Sequence, residues 1–146
     1  MSSDRQTARQ GWMAVLARAS RGEVEALAGD DLPAHEILKA PETGTVMVEG
    51  RAGGAGRRFN LGEATVTRCV VRLGDGTMGF SYALGRDGRK ARLAAILDAR
   101  LQGEAPGGAL HRAVSALRTS QTAARETAAR KAAATKVDFF TLVRGA

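Results

Sequence analysis

The sequence contains little of what membrane proteins and disulfide-stabilised proteins depend on. It has one cysteine, three prolines and 4% aromatic residues in 146 residues. A single cysteine forms no internal disulfide, and Cys69 lies in an apolar strand pattern, so we expect a buried, inert thiol. No run of 18 or more apolar residues is present to span a bilayer, and the N-terminus lacks the apolar core of a signal peptide. These absences predict a cytoplasmic protein that does not associate with membranes.

Catalytic and metal-binding constellations are also scarce. His35 and His111 are the two histidines, and no cluster of cysteines or carboxylates has the spacing of metal ligands. Ser81 lies outside any nucleophile elbow. Glu42 and Glu63 flank a glycine-rich segment and could act as acid and base, but no spacing rule requires it. The sequence therefore predicts no metal site and no cofactor, and it assigns no catalytic residue.

The chain is basic, with a formal net charge of +7, and the excess lies at its C-terminal end. Residues 109–146 carry seven basic and two acidic side chains. Such a patch attracts nucleic acid, a polyphosphate or an acidic protein surface. Nucleic-acid binding is disfavoured, because no strand shows the interleaved aromatics of a stacking platform and no zinc-finger spacing occurs.

Residue periodicity predicts an α+β fold on an antiparallel sheet with a central hairpin. We expect one domain over residues 1–146, with a helical part at 1–32, a sheet at 33–85, and helices with a C-terminal tail at 86–146. Predicted helices cover residues 5–20, a short segment through Val24 and Leu27, and a segment with Leu93, Ile96, Leu97 and Leu101 that ends at Gly103. Two short strands, HEILKA and GTVMVEGRA, are predicted on either side of PETG.

The strongest local signal is the segment from Thr65 to Leu84. If Asp75 and Gly76 form a two-residue hairpin turn, Leu73 faces Met78, Val71 faces Phe80 and Cys69 faces Tyr82, giving one apolar face. The other face then places Arg72, Val70 and Arg68 opposite Gly79, Ser81 and Ala83.

A long helix is predicted from residue 109, followed by the apolar tail VDFFTLVRGA. The helix is rich in alanine and arginine, but its large apolar side chains stop after Leu117, so it can bury little surface by itself. Two interpretations are equally supported: the tail is an arm that binds a partner subunit through Phe139, Phe140, Leu142 and Val143, or it folds back as an edge strand on the chain's own sheet.

The glycine-rich segment GRAGGAGRRFNLGEATVTRC, residues 50–69, matches neither a P-loop nor a Rossmann turn. A connection between two strands explains its glycines most simply. Its backbone could also approach an anion, with arginines completing the contact. Under this second interpretation, Arg51, Gly53, Gly54, Arg58 and Arg68 bind triphosphate or phosphonate oxygens.

Several segments together resemble the PhnG family, subunits of the bacterial carbon–phosphorus lyase system. The matching segments are WMAVLARA, PETGTVMVEGRAGGAGRRFNLGEATVTRC, VRLGDGTMGFSYALGRD and KVDFFTLVRG, in order along nearly the whole chain. Residues 103–134 match mainly in helical character.

This resemblance implies a subunit of a multi-subunit transferase that is inactive alone. The complex would displace adenine from ATP with methylphosphonate, forming α-D-ribose 1-methylphosphonate 5-triphosphate. The implied partners are subunits of the PhnH, PhnI and PhnJ types and an ATPase of the PhnL type. The alternative function is a non-catalytic scaffold or anion-binding subunit of the same kind of assembly.

Overall fold

The computed structural model describes the backbone of residues 2–51 and 58–145, and the side chains of residues 3–47 and 62–135. Four helices and a three-stranded antiparallel sheet make up this part of the chain, as the α+β prediction requires. The elements in chain order are α1 (Ser2–Arg18), α2 (Arg21–Ala28), β1 (His35–Arg51), β2 (Arg58–Leu73), β3 (Met78–Leu84), α3 (Gly88–Gly103) and α4 (Ala109–Gly145). Within the described residues, no helix combines the length and the apolar composition that crossing a membrane requires.

The boundary between α1 and α2 is fixed by local hydrogen bonds. The hydroxyl of Ser20 accepts from the Glu23 N–H at 3.1 Å, and the Glu23 carboxylate accepts from the Ser20 N–H at 2.9 Å. This reciprocal pair is a capping box, which satisfies two donors that a helix start otherwise leaves free. Gly29 then ends α2 with a φ of 71°, a backbone conformation that favours glycine. The predicted helices of this region are confirmed.

The segment PETG does not separate two strands, and that prediction is wrong. β1 is a single strand of 17 residues that pairs with β2 from His35↔Leu73 to Arg51↔Arg58. The register shifts between Ile37 and Lys39 and again between Lys39 and Glu42, where Pro41 lies. Because β1 is an edge strand, a proline there removes no hydrogen bond from the sheet interior, and a bulge absorbs the irregularity.

The β2–β3 hairpin is present, but its predicted register is wrong by one residue. Its loop has three residues, Gly74 to Gly76, and not two. The Gly76 N–H donates to the Leu73 carbonyl at 2.9 Å, and the Leu73 N–H donates to the Thr77 carbonyl at 2.8 Å. Gly76 has a φ of 92°, as expected at the bulge of a three-residue hairpin loop.

The observed pairs include Val71↔Gly79, Cys69↔Ser81 and Thr67↔Ala83 on the face towards α3. Small residues of β3 therefore lie under this helix, which itself buries several alanines. A Cβ atom at Gly79 would collide with the Ala95 carbonyl oxygen. Glycine at this position allows α3 to approach the sheet closely, and the core lies in this layer, around Leu93, Ile96 and Leu97.

Helix α4 packs on the body of the protein through its first turns. Leu110 and Val114 are buried, and the Gln121 amide donates to the Val15 carbonyl of α1 at 3.0 Å. Every described side chain from 122 to 135 is exposed. The helix continues to Gly145, so the alternative of a C-terminal edge strand is wrong, and the segment VDFFTLVRG is helical.

Candidate functional site

The sheet has two unlike faces, and the one away from α3 is a large exposed apolar surface. We call it the outer face; it consists of Arg68, Val70 and Arg72 of β2 with Met78, Phe80, Tyr82 and Leu84 of β3. The four β3 side chains are 40% to 44% exposed. Monomeric soluble proteins rarely expose such a contiguous set, so the outer face is a candidate interaction surface.

Charged side chains of both signs border this surface. Arg72 lies opposite Glu36 of β1 and donates to its carboxylate at 2.9 Å. At the border with α1, the Arg9 guanidinium lies 5.4 Å from the centre of the Phe80 ring. This is a cation–π contact, and Phe80 remains 40% exposed.

A cleft of about 200 Å³ opens between β1 and β2 beside Arg68. Its lining consists of Lys39, Glu42, Thr43, Gly44, Thr45, Val66 and Arg68. Lys39 and Glu42 form an exposed ion pair at 3.4 Å. Small-molecule sites usually measure about 300 to 1,000 Å³, so this cleft suits a phosphate-sized group better than a whole nucleotide.

The arginines predicted to bind phosphate oxygens lie in two separate parts of the β1–β2 hairpin. Arg51 and Arg58 are the last paired residues of the β1–β2 hairpin, so residues 52–57 connect two paired strand ends. Arg68 lies ten residues along β2 from Arg58, which corresponds to about 33 Å of strand. Arg68 and the hairpin end are therefore separate positions along the sheet, and binding of substrate oxygens at either one stays a prediction. Gly53 and Gly54 lie outside the described residues, as do the side chains of Arg51 and Arg58.

The two glutamates considered as an acid–base pair do not lie together. Glu42 is opposite Arg68, whereas Glu63 is opposite Met47. Five residues of strand, about 17 Å, separate them. The arrangement does not support general acid–base catalysis by these two side chains within one chain.

The most densely bonded charged group of the described chain is Asp98 of α3. Its side chain is 0% exposed. Oδ1 accepts from Arg9 Nε at 3.1 Å and Trp12 Nε1 at 2.8 Å. Oδ2 accepts from Arg9 Nη2 at 2.8 Å, the Phe80 N–H at 2.9 Å and Gln102 Nε2 at 3.2 Å. The hydrogen bond to Asp98 raises the pKa of Arg9, against the opposing effect of burial.

These contacts give Asp98 a structural role. The carboxylate joins α1 to α3 and also caps a backbone N–H on the free edge of β3. Gln102 accompanies it by donating to the Met78 carbonyl at 2.8 Å. With every lone pair occupied, Asp98 is poorly placed to take a proton from a substrate.

Lys90 is a second buried charged group, and it too bonds to backbone. Its Nζ donates to the carbonyls of Ala17 at 3.0 Å and Leu84 at 3.2 Å. Burial lowers the pKa of Lys90, while the charges of Asp87 and Glu23 raise it in part. The side chain thus ties the end of α1 to the end of β3.

The remaining candidate groups are also engaged in the fold. Ser81 Oγ donates to the Ala91 carbonyl at 2.6 Å. His111 Nε2 lies 2.9 Å from the Leu101 carbonyl oxygen, and its ring contacts Trp12 edge to face. Cys69 is 1% exposed, which confirms its predicted burial, and burial raises the pKa of its thiol. Among the described residues, no three His, Cys, Asp or Glu side chains are grouped to hold a metal ion.

Sequence reasoning missed the outer face and Asp98 for different reasons. The outer face was hidden by the register error, which placed Met78, Phe80 and Tyr82 on the core side. For Asp98 a signal existed: an acidic residue follows the apolar run LAAIL and precedes Ala99 on the face of α3 that the apolar period predicts to be buried. A buried carboxylate requires partners, and this observation alone identifies it as a network centre.

The predicted partner-binding residues Phe139, Phe140, Leu142 and Val143 lie in the last turns of α4. The backbone there is helical, and the side chains lie outside the described residues. Their role in binding a partner stays a prediction.

Comparison with known proteins adds decisive information. Residues 7–145 match the family described as "Phosphonate metabolism protein PhnG". The chain belongs to the PhnG family. A member from Rhizobium meliloti (strain 1021), named alpha-D-ribose 1-methylphosphonate 5-triphosphate synthase subunit PhnG, is 49% identical over 140 residues. The alignment covers 91% of this chain and 86% of that relative.

The PhnG match extends over all the elements described above. It begins within α1 and includes the outer face, the cleft beside Arg68 and all of α4. The resemblance inferred from the sequence segments is confirmed.

Proposed function

We propose that the chain is a subunit of an α-D-ribose 1-methylphosphonate 5-triphosphate synthase. The complex displaces adenine from ATP with methylphosphonate and joins the phosphonate to ribose C1. The 49% identity to the Rhizobium meliloti subunit, over 91% of the chain, carries this proposal. ATP is a cytoplasmic substrate, so the complex would act in the cytoplasm.

The chain is proposed to be inactive by itself. The buried charged side chains Asp98 and Lys90 are engaged in the fold, and the cleft beside Arg68, about 200 Å³, is smaller than usual small-molecule sites. The missing groups would come from PhnH-type and PhnI-type subunits, with PhnJ-type and PhnL-type proteins as further partners in phosphonate breakdown.

Reconstitution tests this function. The purified chain, ATP and methylphosphonate should release no adenine, whereas addition of the PhnH-type, PhnI-type and PhnL-type proteins should produce the ribosyl phosphonate. Chromatography of adenine together with ³¹P spectroscopy of the phosphonate product measures both. Full turnover by the chain alone, or an equal rate when it is omitted, would contradict the proposal.

A scaffold role is the second candidate, and the exposed outer face favours it. In this case the chain would hold other subunits together without contacting substrate. Omitting the chain should then abolish assembly while the remaining subunits keep catalytic activity when concentrated. Loss of the chemical step in concentrated subunits would exclude a pure scaffold.

We further propose that arginines of the β1–β2 hairpin bind anionic groups of the substrate. Because Arg58 and Arg68 are about 33 Å apart along β2, their effects should be separable. Arg58→Ala and Arg68→Ala would each be measured for the KM of ATP and of methylphosphonate in the assembled complex. Arg89→Ala is the matched control, since Arg89 pairs with Glu25 on the helical side of the protein. Unchanged KM values in both hairpin variants would leave these arginines without a substrate-binding role.

A further inference from the structure

Strand β3 forms one edge of the sheet, and its backbone groups on that side have no strand to pair with. Neighbouring residues of a strand point their N–H and C=O groups to opposite sides, so alternate residues of β3 direct these groups away from β2. The hydrogen bonds that Met78, Phe80 and Leu84 make to side chains place these residues, with Tyr82 between them, on the outward side. An edge of this kind is a template on which another strand can pair.

Three side chains of α3 occupy this edge. We call them the edge cap; they are Lys90, Asp98 and Gln102. Gln102 donates to the Met78 carbonyl at 2.8 Å, and Asp98 accepts the Phe80 N–H at 2.9 Å. Lys90 donates to the carbonyl of the last residue of β3 at 3.2 Å. Both ends of the strand therefore have their outward groups bonded to side chains of the chain itself.

The spacing of the edge cap along α3 matches the spacing of residues along β3. Lys90 and Asp98 are separated by about 12 Å of helix. Their strand partners, Leu84 and Phe80, are separated by about 13 Å of strand. Helix α3 therefore runs antiparallel to the edge, and Ala94 lies at the turn between the two charged side chains.

Helix α1 covers the middle of the edge, which the cap leaves free. One narrow space between the three elements is lined by Met13, Leu16 and Ala17 of α1, by Phe80, Ser81 and Tyr82 of β3, and by Ala94 of α3. The edge cap also holds α1 there. Asp98 accepts from Arg9 and Trp12, and Lys90 donates to the Ala17 carbonyl at 3.0 Å. A strand added to β3 would have to displace α1 from these contacts.

We infer that the edge cap and α1 keep β3 closed to strand addition, so that the sheet does not associate through this edge. A covering helix is one of the ways in which proteins protect an edge strand. Strand β1 differs, because its side chains from 36 to 45 are all exposed, and it is left as the edge at which the sheet can grow. This inference concerns the chain by itself and does not rest on the function proposed above.

Self-association of the full chain tests the inference. Lys90→Met/Gln102→Ala removes two groups of the edge cap and keeps Asp98 with its contacts to α1. This cap variant should dimerise at a concentration at least about tenfold lower than the wild type, measured by sedimentation equilibrium. If the double variant does not fold, Gln102→Ala alone gives the same readout, because this side chain is exposed.

The matched control is Arg100→Met/Gln121→Ala. Both of these side chains also donate to backbone carbonyls, but the acceptors lie in α2 and α1 and not in β3. The control should dimerise within about threefold of the wild-type concentration. A cap variant that is folded by circular dichroism and associates no more than this control would overturn the inference.

A cysteine at position 82 locates the contact. Antiparallel pairing of two β3 edges about this residue brings the two Cα atoms to about 5.5 Å, within reach of a disulfide. Under oxidation, Tyr82→Cys should link two copies of the cap variant at least about tenfold faster than two copies with an intact cap. Met47→Cys in the cap variant reports random collision, because Met47 is 61% exposed, and buried Cys69 does not interfere. Disulfides that form equally fast at positions 82 and 47 would overturn the inference.

Discussion

Asp98→Asn is the substitution that most directly tests the account of the core. Asparagine keeps the shape of the side chain but replaces one acceptor oxygen by an NH₂ group. If this group takes the place of Oδ1, it faces Arg9 Nε and the Trp12 indole N–H. If it takes the place of Oδ2, it faces Arg9 Nη2, the Phe80 N–H and Gln102. At least two donors therefore lose their acceptor in either orientation.

The expected loss of stability follows from these donors. Each buried donor without an acceptor costs about 1 to 3 kcal/mol, and Arg9, whose side chain is 31% exposed, can recover part of the loss by hydration. We expect a decrease of about 3 kcal/mol in the free energy of unfolding. For 146 residues, the unfolding entropy is about 0.3 kcal/mol/K, so Tm should fall by about 10 °C.

Urea unfolding measures this change by circular dichroism and by the fluorescence of Trp12, the chain's one tryptophan. Asp75→Asn is the control, because Asp75 lies in the exposed hairpin turn and accepts the Thr77 N–H, which an asparagine oxygen also does. Its stability should stay within about 0.5 kcal/mol of the wild type. If Asp98→Asn is equally mild and Trp12 emission is unchanged, Asp98 does not hold α1 and α3 together.

Three further predictions concern packing, pH and the C-terminal helix. Gly79→Ala should lower the free energy of unfolding by about 1 to 3 kcal/mol, because the new methyl group meets α3. Gly44 has open space around it, so Gly44→Ala should lower the free energy of unfolding by less. Urea titration measures both changes. The hydrogen bond from Arg21 lowers the pKa of Asp87 below the ordinary aspartate pKa of about 3.9. The difference in unfolding free energy between wild type and Asp87→Asn should therefore be constant above about pH 5 and shrink as pH falls below about 3.9. A difference that stays constant down to about pH 2 would contradict the prediction. Removing residues 137–146 should leave a folded chain, by circular dichroism, that no longer co-purifies with PhnI-type or PhnJ-type subunits; unfolding of the truncated chain would show that the tail belongs to its own core.

Elements governed by local signals were predictable from the sequence. Helix α3 begins at Asp87, whose carboxylate accepts the Lys90 N–H at 3.0 Å, and its apolar period and terminal Gly103 are visible in the sequence. Burial of Cys69 followed equally from the pattern of its strand. In each case, the residues that determine the structure lie only a few positions apart in the sequence.

The register of the β2–β3 hairpin depends on packing against α3, which follows it in the sequence. Gly74, Asp75 and Gly76 allow a two-residue or a three-residue loop, and matching large apolar residues across the strands favoured the wrong one. The actual choice places Gly79 under Ala95, where a larger side chain would collide. The turn residues alone do not reveal this contact between Gly79 and Ala95. The correct register, and with it the outer face, could therefore not be predicted from them.

The partners of Asp98 could not be predicted, because the main ones lie far away in sequence. Arg9 and Trp12 are separated from Asp98 by 89 and 86 residues. The sequence shows an acid among apolar positions but not which donors reach it. The sequence also did not show that strand pairing separates Arg58 from Arg68 along β2, and the role of these arginines in binding substrate stays a prediction.

The same separation has a consequence for how the chain is made. Helix α1 leaves the ribosome first, yet the carboxylate that accepts its Arg9 and Trp12 donors is synthesised 86 to 89 residues later. At about 5 to 20 residues per second, this interval lasts roughly 4 to 18 s. Throughout that time, the donors of Arg9 and Trp12 lack the Asp98 carboxylate as their acceptor. The hydrogen bonds of α1 to Asp98 therefore form only after α3 has been synthesised, late in folding during synthesis.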